Sequence, residues 1–79
     1  MLSIKEVKEQ QESELLRLLD WVGTQARLAR QLNIEPQVVA GWVRRGRISA
    51  KMARQVDIKT KGMFKKEALR PDVDNWQRG

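Results

Sequence analysis

The stretch TQARLARQLNIEPQVVAGWVRRG, residues 24–46, decides the fold: it holds two short segments of helical apolar spacing with a turn between them. Thr24 carries the hydroxyl that caps a first turn, and Ala26, Leu28, Ala29 and Leu32 follow at helical intervals. Asn33 stops that helix, because asparagine tolerates the left-handed conformation better than most residues. Pro36 suits the first position of the next helix, which carries Val38, Val39, Trp42 and Val43 inward and ends at Gly46.

Two short helices joined at a tight turn, the second rich in arginine, is the layout of a helix-turn-helix. Its geometry can be tested position by position, taking Gln25 as the first. The crossing point of the helices falls on Ala29, which is small, and the turn on Asn33, followed by apolar Ile34. The buried positions of the second helix fall on Val39 and Trp42. A larger residue than Ala29 would push the second helix off the first, and Val39 with Trp42 must be apolar to close the core beneath it. The bland alternative is any small helical hairpin, which also uses alanine at a crossing and valine inside.

Working outward, Leu15, Leu16, Leu18, Leu19 and Val22 form an apolar set from Ser13 to Gly23, and Trp21 reads as core beside them. Glu12 and Glu14 stand in the early turns, where the helix dipole favours negative charge. Upstream, Ile4 and Val7 make too thin a stripe to require packing, so residues 1–12 read as an arm or a helix extension. Downstream, Ser49 caps a helix from Ala50 to about Lys59, with Met52, Ala53 and Val56 inward. The alternative is a hairpin after Ala50, since Val56, Ile58 and Thr60 alternate at strand period and Met63-Phe64 after Gly62 could return. Lys65 to Arg70 allow one more helical turn before Pro71. The domain reading is therefore an arm over 1–12, one domain over 13–70 with its motif at about 24–46, and a tail over 71–79. The fold reading is all-α, a small helix-turn-helix bundle of four to five helices.

Composition narrows the function. The 79 residues make one domain, and a chain of this size buries only about 60% of its unfolded surface. Without cysteine or histidine there is no disulfide framework, thiolate site or imidazole chemistry. The close acidic pairs, Glu12/Glu14 and Asp72/Asp74, lack an apolar pocket or further ligands. The expectation is a non-enzyme with no catalytic residues, no metal and no cofactor. Sixteen Lys+Arg against ten Asp+Glu give +6, and the charge is uneven. Residues 21–66 hold eleven basic and two acidic groups, whereas both flanks are slightly negative. An anionic partner for the middle follows. With no spanning segment or leader pattern, a soluble cytoplasmic protein with no membrane role is expected.

These residues resemble the lambda-type Cro repressors and the related YdaS-type antitoxin or Cro-like regulators of prophages, over Leu15 to about Val73. The marks are Gly23-Thr24-Gln25 leading into Leu28-Ala29, then Pro36-Gln37-Val38-Val39 before Trp42, then Arg45-Gly46-Arg47-Ile48. Thr60-Lys61-Gly62 and Leu69-Arg70-Pro71-Asp72 look like that family's closing segment. The resemblance implies a sequence-specific regulator, usually a repressor, that binds operator DNA as a homodimer in a bacterial or phage-infected cell. Asn33 departs from the usual turn glycine, Glu35 from a better cap, and Ser49-Ala50 from a segment that often carries proline.

In helix-turn-helix geometry Pro36, Gln37, Ala40 and Gly41 face the major groove. Gln37 can bond adenine, while Pro36 and Ala40 can meet a thymine methyl. Gly41 reads either as a weak point in the helix or as room for close approach to the bases. Arg44 and Arg47 join them as base contacts, Arg47 as a guanine reader by similarity to the Cro pattern. Thr24, Gln25, Arg45 and Lys51 are assigned to phosphates. Arg27, Arg30, Arg54, Lys59, Lys61, Lys65 and Lys66 read as solvated charge. Trp42 is core rather than a stacking platform, and Trp76 in the polar tail packs back or serves an interface. The competing reading is an antitoxin or protein-interaction module that neutralises a partner protein through the acidic arm or the tail.

Overall fold

The structure is a computed structural model, and it describes residues 3–73. Five helices follow one another: α1 (Ile4–Val22), α2 (Gln25–Leu32), α3 (Pro36–Arg45), α4 (Ala50–Lys59) and α5 (Lys66–Leu69). The bundle is all-α, and among the described residues no strand forms. The hairpin considered after Ala50 is replaced by α4, which Ser49 caps by accepting a hydrogen bond from the Met52 N–H at 3.3 Å.

α1 starts nine residues earlier than Ser13. Ser3 and Glu6 make a capping box, in which the Ser3 hydroxyl accepts from the Glu6 N–H and the Glu6 carboxylate accepts from the Ser3 N–H. Residues 4–12 are thus the first turns of one long helix. Thr24 caps α2 by accepting from the Arg27 N–H at 3.0 Å. Asn33 closes α2 at φ 57°, ψ 48°, and the Ile34 N–H donates to the Ala29 carbonyl at 2.9 Å. That bond satisfies a helix-end carbonyl and turns the chain into α3. Gly46, at φ 79°, ends α3 with the same pattern: its own N–H and that of Arg47 both donate to the Trp42 carbonyl.

The core runs through all five helices. Leu15 and Leu18 of α1 meet Leu28, Ala29 and Leu32 of α2, Val39 and Trp42 of α3, Ala53 and Val56 of α4, and Leu69 of α5. Ile48 and Phe64, both from connecting segments, complete it. Each motif position named from the sequence has the expected environment: Ala29, Val39 and Trp42 are fully buried and Ile34 packs against the cluster. Two core assignments are corrected. Trp21 is 58% exposed, and Val38 is 43% exposed. Both flank an apolar stripe rather than lie on it, Trp21 beside the Leu15–Leu18–Val22 line and Val38 beside Val39–Trp42. Leu16, on the outer side of α1, is also exposed. Trp76 and the expectations attached to it lie outside the described residues.

A long-range polar joint ties the two ends of the domain together. Gln11 of α1 is buried, and its side-chain amide donates to the Asp72 carboxylate at 2.7 Å. Arg70 grips the same carboxylate with two 2.8 Å hydrogen bonds and donates a third, at 3.1 Å, to the Ile48 carbonyl. The Arg70 guanidinium, chiefly through its hydrogen bonds, holds the Asp72 carboxyl below the usual aspartate range against the opposing effect of burial. The C-terminal segment after α5 is thereby fastened to α1 and to the loop that follows α3.

Candidate nucleic-acid interface

Pro36 occupies the first turn of α3, where its missing N–H costs nothing, and it sets the direction in which the helix leaves the turn. Glu35 makes no side-chain cap, so the α3 N-terminus depends on Pro36 and on the bond from the Val38 N–H to the Glu35 carbonyl. With Val39 and Trp42 fixed in the core, Pro36, Gln37, Arg44 and Arg45 face solvent and Ala40 is half-buried.

Gly41 does not present an open surface. A Cβ at this position would lie 3.0 Å from one terminal nitrogen of Arg45 and 3.7 Å from one of Arg44, so the two guanidinium groups fold over the glycine. The space that Gly41 leaves is occupied by the movable ends of these two arginine side chains. Two like charges converge there, and among the described residues neither arginine has a carboxylate within ion-pair distance. Converging guanidinium groups without an internal counter-ion are suited to an external anion, for which planar bidentate donors are the strongest side-chain partners.

Arg45 also lines an open cleft of about 500 Å³ together with Gly46, Arg47 and four residues of α1: Lys8, Glu9, Gln11 and Glu12. Arg47 lies 3.5 Å from the Asp72 carboxylate, with its side chain 49% exposed. It is therefore placed by a protein carboxylate that Arg70 and Gln11 already hold, an environment the sequence did not disclose. Thr24 and Gln25 are exposed at the start of α2 and Lys51 in the first turn of α4. None of the three lines the cleft beside Arg45.

Lys8 and Gln11 were absent from the residues singled out by sequence, whereas Glu12 and Asp72 were read there only as members of solvated acidic pairs, Asp72 also within the closing segment. Gln11 falls one turn before Leu15 on the buried side of α1, a position where periodicity expects an apolar residue, and that anomaly was its available signal. Asp72 has a local partner in Arg70, two residues away, but its contacts with Arg47 and Gln11 span 25 and 61 residues and left no signal along the chain. Elsewhere, Arg17 lies over the Phe64 ring at 4.4 Å and pairs with Glu14 at 2.8 Å, which leaves Trp21 tilted against Phe64 at 5.5 Å. Among the described residues no helix is long and apolar enough to cross a membrane, and no group of three metal-ligating side chains forms.

No curated protein and no solved structure matches the chain. One protein family does: the profile of the bacterial toxin YdaS matches residues 15–78, most of the sequence and all of α2 to α5. The first turns of α1, Lys8 included, precede the matched stretch. On the extent of that match, laid over a five-helix bundle, the chain belongs to the YdaS family.

Proposed function

We propose that this protein is a sequence-selective double-stranded DNA-binding regulator of the prophage type, acting as a repressor by placing α3 in the major groove. The observation that carries this reading is the division of α3. Its inner residues Val39 and Trp42 are locked in the core, while Gln37, Arg44 and Arg45 are exposed on the other side without acidic partners among the described residues. In this reading Gln37 reads a base edge, Pro36 and Ala40 contact methyl groups, and Arg44 contributes a further base contact. Arg45, Thr24, Gln25 and Lys51 anchor phosphates, and Arg47 reads guanine once it leaves Asp72. The +9 charge of residues 21–66 steers the encounter. A homodimer would read half-sites about one helical turn, ~34 Å, apart.

Selection of bound duplexes from a random pool at physiological salt tests the proposal, with wild type beside Gln37→Ala and Arg47→Ala. A short enriched motif, weakened at separate positions by the two substitutions, is expected. Retention of every duplex alike, with no change in either variant, would sink it.

The family's description as a toxin favours a second reading, in which the chain acts on a partner protein within a toxin–antitoxin pair. The exposed Trp21 beside a groove of about 440 Å³ lined by Leu18, Val22, Leu28 and Val56 suits such a contact. Growth arrest on expression of the chain, unchanged in Gln37→Ala and abolished in Trp21→Ala, would favour this reading over the first.

A further inference from the structure

We infer that Lys8, in the part of α1 that precedes the family match, is a DNA phosphate contact that completes the arginine cluster of α3. The inference rests on the DNA-binding reading above and extends it to a residue with no place in the helix-turn-helix motif.

Three observations meet at this point. Lys8 lines the open cleft that Arg45 and Arg47 also line, so the second turn of α1 and the end of α3 place three cations around one space. Arg45 lines this cleft and also reaches back over Gly41 beside Arg44, so one side chain belongs both to the cleft and to the arginine pair of α3. Finally, the placement is rigid: the Ser3–Glu6 capping box starts the helix, and the buried Gln11, bonded to Asp72, pins the next turn to the C-terminal segment. A lysine on a docked helix loses less freedom on binding than one on a loose arm, so its contact is better preorganised.

Glu9 and Glu12 line the same cleft. Glu12 reaches the α3 terminus, with its Oε2 3.3 Å from where a Gly46 Cβ would stand, at the residue between Arg45 and Arg47. The two lining carboxylates, with Asp72 beside Arg47 at 3.5 Å, offset the three cations, so the cleft carries little net charge of its own. That balance disfavours capture of a free anion and favours a phosphate already held nearby by Arg44 and Arg45, as on a duplex backbone.

The test is the salt dependence of binding to a random-sequence 20-base-pair duplex, measured with the full chain as wild type, Lys8→Gln, Lys8→Arg, Arg45→Gln and Lys59→Gln. Lys59→Gln removes the same charge from α4, in the groove beside Trp21. Each phosphate contact contributes about 0.9 to the slope of log affinity against log salt. Lys8→Gln should lower the slope by about 0.9 per protomer, Lys8→Arg should keep the wild-type slope, and Lys59→Gln should leave it unchanged. Equal slopes for Lys8→Gln and wild type, with a reduced slope for Arg45→Gln, would overturn the Lys8 contact and leave the DNA reading standing. Equal losses in Lys8→Gln and Lys59→Gln would also overturn it, since they would reduce Lys8 to general charge. Wild type with no salt-dependent binding would overturn both proposals.

Discussion

Trp42 and Trp21 carry the same side chain on helices that touch, and both read as core in the sequence, yet Trp42 is 1% exposed and Trp21 is 58% exposed. The difference lies in what surrounds each stripe. Trp42 sits on the line that α3 turns toward α1 and α2, and its place follows from motif spacing within 23 residues. Trp21 sits on the flank of α1, where covering it would need another element, and it meets Phe64 in a tilted pair. Periodicity therefore tells which side of a helix faces inward, whereas the number of neighbours decides how wide the buried side is.

Substitution should reproduce that contrast. Trp42→Ala should cost about 3–5 kcal/mol, as for other large aromatic truncations in a core. Small domains have roughly 5 kcal/mol in total, so this variant should be largely unfolded by circular dichroism at 25 °C. Had the two tryptophans been equivalent, Trp21→Ala would unfold the chain as well.

The next effect probes the joint between the ends of the domain. Asp72→Ala leaves the buried Gln11 amide without its carboxylate and releases Arg70, at a cost of about 1–3 kcal/mol measured by urea unfolding. It should also alter the pH dependence. The folded state depresses the Asp72 pKa, so this contribution is complete above the ordinary aspartate value of about 3.9 and disappears as pH falls through the lower folded value. Wild type should thus lose stability below about pH 4, and Asp72→Ala should show a shallower acid limb. Parallel acid limbs would mean that other carboxylates set the acid stability.

Trp21→Ala should cost about 1 kcal/mol, the size of a tilted aromatic pair with little burial. A loss as large as that of Trp42→Ala would show that the flank of α1 is as essential as the motif core. The smallest effect has the opposite sign. Gly41→Ala should raise stability by up to about 1 kcal/mol through helix propensity, because the contact at 3.0 Å is the movable end of Arg45. The same substitution should weaken duplex binding by displacing that guanidinium. Higher stability with unchanged binding would separate Gly41 from the interface.

Much of the motif was legible because its determinants are local. Thr24, Asn33, Pro36 and Gly46 each fix a helix end through their own backbone or side chain, and all four ends fall at or within a residue of where they were read. The helix over Ala50–Lys59 was distinguishable from a hairpin by the Ser49 cap, which a strand does not need. The early start of α1 was also written locally, in the Ser3–Glu6 capping box, but the thin apolar stripe of Ile4 and Val7 concealed it.

The candidate site divides along the same line. The exposure of Gln37, Arg44 and Arg45 follows from the phase of α3 once Val39 and Trp42 are inward, so the sequence alone determined which helix presents its polar side and which charges it carries. The tertiary structure decided what those charges meet. It folded Arg44 and Arg45 over Gly41, set Arg47 beside Asp72, buried Gln11 against the same carboxylate, and placed Lys8 across a cleft from Arg45. Those relations join residues up to 61 positions apart through hydrogen bonds and charge. Helical periodicity is a property of neighbours along one element, whereas such pairings exist only after the core has brought separate elements together.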